Sequence, residues 1–345
     1  MSATTQTAPA SNAEWLLEGT EPGLPLIISF GFYYADGNPL FDFYGRLKKI
    51  ALVSGRAANH LFVRDLSQRW YLRGIASLGA DVDSTVAALR EIIAPLAPSS
   101  ITTMGQSMGA YGAILYGTLL GVDRMITFGP LSCFDGPRWE LMKDSRWKPI
   151  RENLVATGPQ IAPYDDLAGL LRNLRGKRPA LDIFYGMVGD DHLPTHLNIG
   201  HDVAHAMRFE GIDKITLLPV PMSAHAVVEY FRQHGVITDV LLNRLYGTPL
   251  TACIARLYEP PLNWVGWLEE NIARGCNVAD LTQTLRDHHM EEDVIRTMFE
   301  RVHVIRCLRV IDSRPSPPLL MKAPYDPDEE EELAACCSDP SHQHR

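Results

Sequence analysis

The sequence predicts an α/β domain, a mostly parallel sheet with helices on both faces, followed by a smaller helical region. Three observations lead there. Strand-like apolar runs at 24–30, 59–63, 100–104, 124–128, 181–185 and 214–219 alternate with segments of helical periodicity, the order that builds βα units. One strand-to-helix junction carries Gly105, Ser107 and Gly109 in a Gly-x-Ser-x-Gly pattern. A chain of 345 residues with 46% hydrophobic content can also fill one core of roughly 200–250 residues with a remainder.

In chain order, residues 1–12 lack any apolar period and are expected to be disordered. Their lack of a basic start and an apolar run argues against a signal peptide. The first strand, 24–30, leads into a Gly-Phe-Tyr-Tyr turn, and 41–52 is a candidate helix. The second strand, 59–63, ends in Arg64-Asp65. Val82, Val86, Leu89 and Ile93 recur at helical spacing and predict a helix over 82–94. The junction strand 100–104 and an apolar helix at 110–120 follow, then the strand 124–128. Residues 131–178 break the rhythm with prolines, Trp139 and Trp147, so a cap insertion over the strand ends is expected. Strands at 181–185 and 214–219 resume it, and 227–234 is a helix.

Beyond residue 249 the character changes. Trp264, Trp267, Leu268 and Ile272 fit one helix, and Asn277 could cap a second carrying Leu281 and Leu285. Val294, Met298 and Val302 fit a third. The expected division is therefore 1–12 disordered, 13–249 the α/β domain, 250–312 a helical module, and 313–345 a disordered acidic tail. Residues 323–345 hold seven acidic side chains and one arginine. They account for −6 of the net charge of −9, leaving −3 on the rest. That nearly balanced body offers no basic footprint for nucleic acid.

The junction carries the chemistry. A serine at so sharp a turn takes a strained backbone conformation, and side chains two residues before and after it would meet the adjoining strand and helix. Gly105 and Gly109 avoid that collision. The Ser107 hydroxyl is then raised clear of the sheet at a helix start, where the Met108 amide is free to hold an oxyanion. With its glycines, the following Ala-Tyr-Gly-Ala helix and the histidine and carboxylates downstream, this stretch resembles the α/β-hydrolase superfamily over about residues 22–246. Arg64-Asp65, Trp70-Tyr71 and the run from Gly105 to Gly112 look like a poorly characterised bacterial branch of it. The resemblance implies an α/β-hydrolase fold, a serine nucleophile and no metal or other cofactor, but no particular substrate.

Members of that superfamily order their triad as nucleophile, acid, base. Here Ser107 is the nucleophile, and His225, after the last core strand, is the base. The acid should follow the strand 181–185. Asp190 is favoured, Asp202 is the alternative, and Asp191 is a neighbouring candidate. The second oxyanion donor should come from the loop after the first strand, as the amide of Phe32 or Gly31. Arg64 is a candidate for binding a substrate carboxylate, with a structural ion pair the competing role.

His192, His196, His201 and His205 crowd into 14 residues. His201 and His205, four apart, would share a helix face. Without an H-E-x-x-H motif the metal reading is not adopted. The six cysteines form no C-x-x-C pair, which argues against a zinc knuckle or disulfide framework. No uncharged run is long enough for a membrane span, and the expected setting is cytoplasmic. The expected activity is hydrolysis of an ester, thioester or amide in a small acyl substrate. The alternatives are acyl transfer by the same triad, or a non-catalytic relative that recruits a protein partner through residues 250–345.

Overall fold

The computed structural model describes residues 12–314 apart from 36, 38, 135, 143, 145, 157–160, 190–199 and 259–261. The segments expected to be disordered lie almost wholly outside that range. Among the described residues, seven strands form one sheet in the order β1-β3-β2-β4-β5-β6-β7. They are β1 (Trp15–Glu18), β2 (Leu26–Phe30), β3 (Asn59–Val63), β4 (Ile101–Gln106), β5 (Arg124–Phe128), β6 (Ala180–Gly186) and β7 (Ile215–Val220). β2 runs parallel to β3 and β4, β4 to β5 and β5 to β6, while β1 pairs antiparallel with β3. The predicted α/β class, a mostly parallel sheet with helices around it, is the class observed.

The central strands are buried throughout and mostly apolar, as strands covered on both faces tend to be: every residue of β2, β3 and β5 is buried. The unpredicted strand, β1, reads Trp-Leu-Leu-Glu with all four residues only half-buried. An edge strand of that length leaves neither a long apolar run nor alternation to detect.

The helices of the first part are α1 (Tyr44–Ser54), α2 (Val82–Ile93) and α3 (Met108–Leu119). Asp81 caps α2, accepting from Ser84 N while the Ser84 hydroxyl takes the Asp81 amide, a reciprocal cap of two orphan amides. Its buried positions include Val82, Val86, Leu89 and Ile93, the predicted stripe. The insertion between β5 and β6 forms α4 (Gly136–Met142), α5 (Lys148–Ala156) and α6 (Leu167–Asn173), and α7 (His201–Met207) precedes β7. α8 (Val227–Gln233), α9 (Ile237–Tyr246), α10 (Thr251–Leu257), α11 (Leu262–Ala273), α12 (Val278–Asp287) and α13 (Glu292–Ser313) complete the chain. Among the described residues no helix is long and apolar enough to cross a membrane.

Two compact units divide the chain. One runs to Phe184 and includes His201–Leu217; the other comprises Tyr185–Gly200 and Leu218–Leu319. The second unit contains the helical module with a core of its own, in which Val265, Leu268, Leu281, Leu285, Ile295, Met298, Val302 and Ile305 are buried. Asn277 caps α12 through Ala279 N, as expected. Val294 does not share the predicted face: it is exposed, and Ile295 fills that place. The third helix is also longer than its stripe suggested, running 22 residues to Ser313, just short of Pro315. Nor does packing break at the expected boundary after residue 249. Asp312 accepts from Asn243 Nδ2 at 3.1 Å and Leu250 N at 3.0 Å, and the buried Arg244 donates to Ile311 O at 2.6 Å.

Candidate active site

Strand register brings the first parts of the site together. Phe30 pairs with Gly105 across β2 and β4, so Gly31-Phe32 and Gln106-Ser107 leave the sheet side by side. Ser107 is the N-cap residue of α3, with φ 53° and ψ −119°, a conformation costly for any side chain with a Cβ. It is held from both ends: Ser107 N donates to Phe128 O at 2.8 Å, and Tyr111 N donates to Ser107 O at 3.1 Å. The two glycines have the predicted steric reason. A Cβ on Gly105 would lie 2.2 Å from Gly109 O, and one on Gly109 would lie 2.1 Å from Phe30 O. Both obstacles are backbone, which cannot swing aside. Gly109→Val is therefore expected to lower stability by about 3 kcal/mol or more or to prevent folding, read as loss of soluble protein or of melting temperature. A normally melting, active variant would refute the steric argument.

Met108 is the first residue of α3, so its amide is one the helix cannot pair internally. The two amides expected as the second oxyanion donor are engaged differently. Gly31 N donates to Val63 O at 2.8 Å, extending the strand ladder; the expectation that Gly31 could supply this amide is corrected. The Phe32 amide lies beyond the ladder and donates to a carboxylate that sequence reasoning missed, Asp42 Oδ2, at 2.5 Å. Behind this loop stands Tyr71, also missed as a site-building residue. Its hydroxyl donates to Gly31 O at 2.7 Å, and its ring packs where Gly112 lacks a side chain. Asp65 holds that Tyr71 segment, its Oδ2 accepting from Arg69 N at 2.7 Å and Tyr71 N at 3.0 Å.

Arg64 is buried. Its Nε donates to Ala13 O at 2.6 Å and its Nη1 to Pro39 O at 2.7 Å, with the guanidinium over the Phe41 ring. These bonds make it a clamp on two chain segments, a structural use of the cation in place of the expected substrate contact.

Residues of the insertion touch this region. Trp147 meets Tyr33 and Trp70 at ring distances of 5.4 and 5.1 Å, and Arg73 reaches Leu154 O at 3.1 Å. Ser107 is only 5% exposed.

Asp202 is spoken for. Its carboxylate is buried and accepts from Arg146 Nη2 at 2.9 Å; the same guanidinium pairs with Asp144 at 2.7 Å. Asp144 continues to His205 Nε2 at 3.3 Å, and His205 Nδ1 accepts from Ser132 N and faces Ser132 Oγ, both at 2.9 Å. An accepting Nδ1 places the ring proton on Nε2. Ser132, His205 and Asp144 thus mimic a triad, yet Ser132 and His205 are fully buried and no substrate can reach them. Burial favours neutral His205, pushing its pKa down. Burial alone would raise Asp144, but the His205 hydrogen bond and Arg146 hold it well below the usual carboxylate range. This network ties the insertion to α7. It also engages both ring nitrogens of His205, removing it from any metal set. His201 shares α7, whereas His192 and His196 lie outside the described residues.

In the second unit, His225 occupies the turn between β7 and α8, and its carbonyl accepts from Val227 N at 2.9 Å. The segment leading toward Asp190 runs beside that turn: Met187 N donates to Val220 O at 3.3 Å and Val188 N to Ser223 O at 3.0 Å. Gly186 permits the approach, since a Cβ there would lie 2.0 Å from Ala224 O. Asp190 and Asp191 lie outside the described residues.

No family profile and no curated protein sequence matches the chain. Solved structures do. The capsule O-acetyltransferase of Neisseria meningitidis serogroup A is similar over 65% of this chain and 90% of its own, at 16% identity and TM-score 0.45. An S-formylglutathione hydrolase from Agrobacterium tumefaciens is similar over 64% and 83%, at 17% identity and TM-score 0.43. A hydrolase from Oleispira antarctica is similar over 67% and 94%, at 13% identity and TM-score 0.37. With its mostly parallel seven-stranded sheet and a serine turn between β4 and α3, the chain has the α/β-hydrolase fold.

Proposed function

We propose that this protein is a serine hydrolase that cleaves an ester, thioester or amide through an acyl-enzyme on Ser107. The observation that carries the reading is the strained, positive-φ Ser107 held between two glycines that have no room for a side chain. Strain of this kind persists only where the surrounding structure enforces it, and a nucleophile raised at a helix start is what it would serve. Ser107 Oγ attacks the acyl carbon while His225 takes its proton. The oxyanion is held by the amides of Met108 and Phe32. The leaving group departs with the proton from His225. Water, deprotonated by the same imidazole, then attacks the acyl-enzyme, releasing the acid and restoring the Ser107 hydroxyl.

Asp190 orients His225 in this reading. Two observations favour it over Asp202: the hydrogen bonds between residues 187–188 and the His225 turn, and the engagement of Asp202 by Arg146. Labelling by a fluorophosphonate, which phosphonylates an activated serine, tests the assignment. Wild type is expected to label, and Ser107→Ala and His225→Ala are not. Asp190→Asn is expected to slow labelling by about a hundredfold or more, whereas Asp202→Asn acts mainly by removing one of the two carboxylates on Arg146 and lowering the melting temperature. Failure of wild type to label, or undiminished labelling of Ser107→Ala, would overturn the function. A slow Asp202→Asn with a normal melting curve would reassign the acid.

A further inference from the structure

The Asp42 carboxylate occupies a position that asks for an explanation. Asp42 immediately precedes Phe43, the N-cap residue of α1, where a short acidic side chain usually serves the helix start. It does not do so here. α1 has no side-chain cap, and Phe43 carries the strain of φ 63° and ψ 0°. The carboxylate turns instead to the Phe32 amide at 2.5 Å. Ser29 Oγ holds the Asp42 backbone from β2, donating to its carbonyl at 2.9 Å, and the Phe43 ring stacks on Phe128 at 6.1 Å. The chain thus leaves a helix end uncapped and a non-glycine residue left-handed, and places a carboxylate oxygen on the amide assigned to the oxyanion.

We propose that Asp42 is a positioning residue for the oxyanion site, its carboxylate holding the Phe32 amide in the resting enzyme and competing for it with the oxyanion that forms when Ser107 is acylated. The proposal rests on the reading of Ser107 as nucleophile. An ionised Asp42 opposes acylation twice, by retaining the donor and by setting a negative charge beside the developing one. A neutral Asp42 is a weaker acceptor and releases the amide. No bond is made or broken at Asp42; one hydrogen bond changes its acceptor.

The surroundings make the switch accessible near neutrality. Burial pushes the Asp42 carboxyl up to about 7, against the pull of the Phe32 amide. Tyr34, on the same loop, is raised to about 12 by burial and by Asp42. Burial, Asp65 and Asp42 push Tyr71 further up. Asp65, raised by burial, is held by the Ser67 hydroxyl and the Tyr71 and Arg69 amides, and the Arg64 guanidinium lies over the Phe41 ring with its bonds to Ala13 O and Pro39 O.

The acylation rate of Ser107 is measured against pH with a fluorophosphonate and with para-nitrophenyl acetate. In wild type the rate is expected to fall as pH rises through about 7, where an imidazole base acting alone would give a rising or level profile. In Asp42→Asn, which keeps the shape but cannot ionise, that fall should disappear. At about pH 9 the variant should be faster than wild type by about fivefold or more, and at about pH 6 the two should agree within about twofold. Asp42→Ala should behave as Asp42→Asn does and serves if the amide variant misfolds. A wild-type profile with no alkaline fall, or a fall that persists in both variants, overturns the proposal. So does a variant that folds but loses rate at every pH. Absence of labelling at any pH would instead sink the reading of Ser107, so the two failures are distinguishable.

Discussion

Ser107→Ala is expected to lower hydrolysis of a responsive acyl substrate by about a thousandfold to a millionfold while leaving the melting temperature almost unchanged. The two halves of that expectation have separate causes. The turn is kept by Gly105, Gly109 and the main-chain bonds from Ser107 N to Phe128 O and from Tyr111 N to Ser107 O, and alanine retains all of them. Alanine also carries the same Cβ in the same positive-φ conformation, so it inherits the strain without adding to it. Stability should therefore change by no more than about 1 kcal/mol. What disappears is the atom that attacks. Turnover and thermal melting of the same preparation give the check, and undiminished turnover in a normally folded variant would end the serine assignment.

Removal of residues 250–345 is expected to leave a fragment, 1–249, that aggregates. The module has its own apolar core, so it might be thought dispensable, but α13 is built into the second unit at several points. Its Ile311 carbonyl takes the buried Arg244, its Asp312 takes Asn243, and Cys307 Sγ lies 3.8 Å from Pro219 O on β7. The cut uncovers α9, whose Val240, Leu241 and Leu245 are fully buried, at about 25 cal/mol for each Å² of apolar surface returned to water. It also takes the Ile311 carbonyl away from the Arg244 guanidinium. Deleting 323–345 alone should change neither solubility nor activity. That stretch holds one tyrosine, one leucine and no β-branched residue, too little apolar surface to offset roughly 1–2 kcal/mol of backbone entropy per residue. Size-exclusion chromatography and activity of the two truncations side by side give the answer. A monodisperse, active 1–249 would refute the coupling and leave residues 250–345 as the better candidate for a partner-binding part.

The sequence by itself determined the class of the fold, most of its strands and helices, and the serine turn. β3 and β5 fall at 59–63 and 124–128 as read from the apolar runs, because strands buried on both faces carry their signal locally. Gly105 was legible for the same reason, since the atom it avoids, Gly109 O, lies within a few residues of Ser107, whereas the obstacle to a side chain on Gly109 is Phe30 O of β2, which the Gly-x-Ser-x-Gly pattern only implied. The weak edge strand β1 and the full length of α13 were not, since one is half-buried and the other's apolar face shifts by one residue, from Val294 to Ile295.

Only the tertiary structure decided how the polar residues are spent. Asp202 and Arg146 are 56 residues apart, His205 and Ser132 are 73 apart, and Arg64 reaches back 51 residues to Ala13. A sequence shows that such groups exist but not which partner each will take. A carboxylate beside a helix start reads as a cap, and nothing within its own ten-residue neighbourhood says that Asp42 will leave α1 uncapped and hold the Phe32 amide. Apolar periodicity is a property of one segment, whereas hydrogen-bond partnership is a property of two. The second is settled only when the sheet register brings β2 beside β4 and sets Gly31-Phe32 level with Ser107.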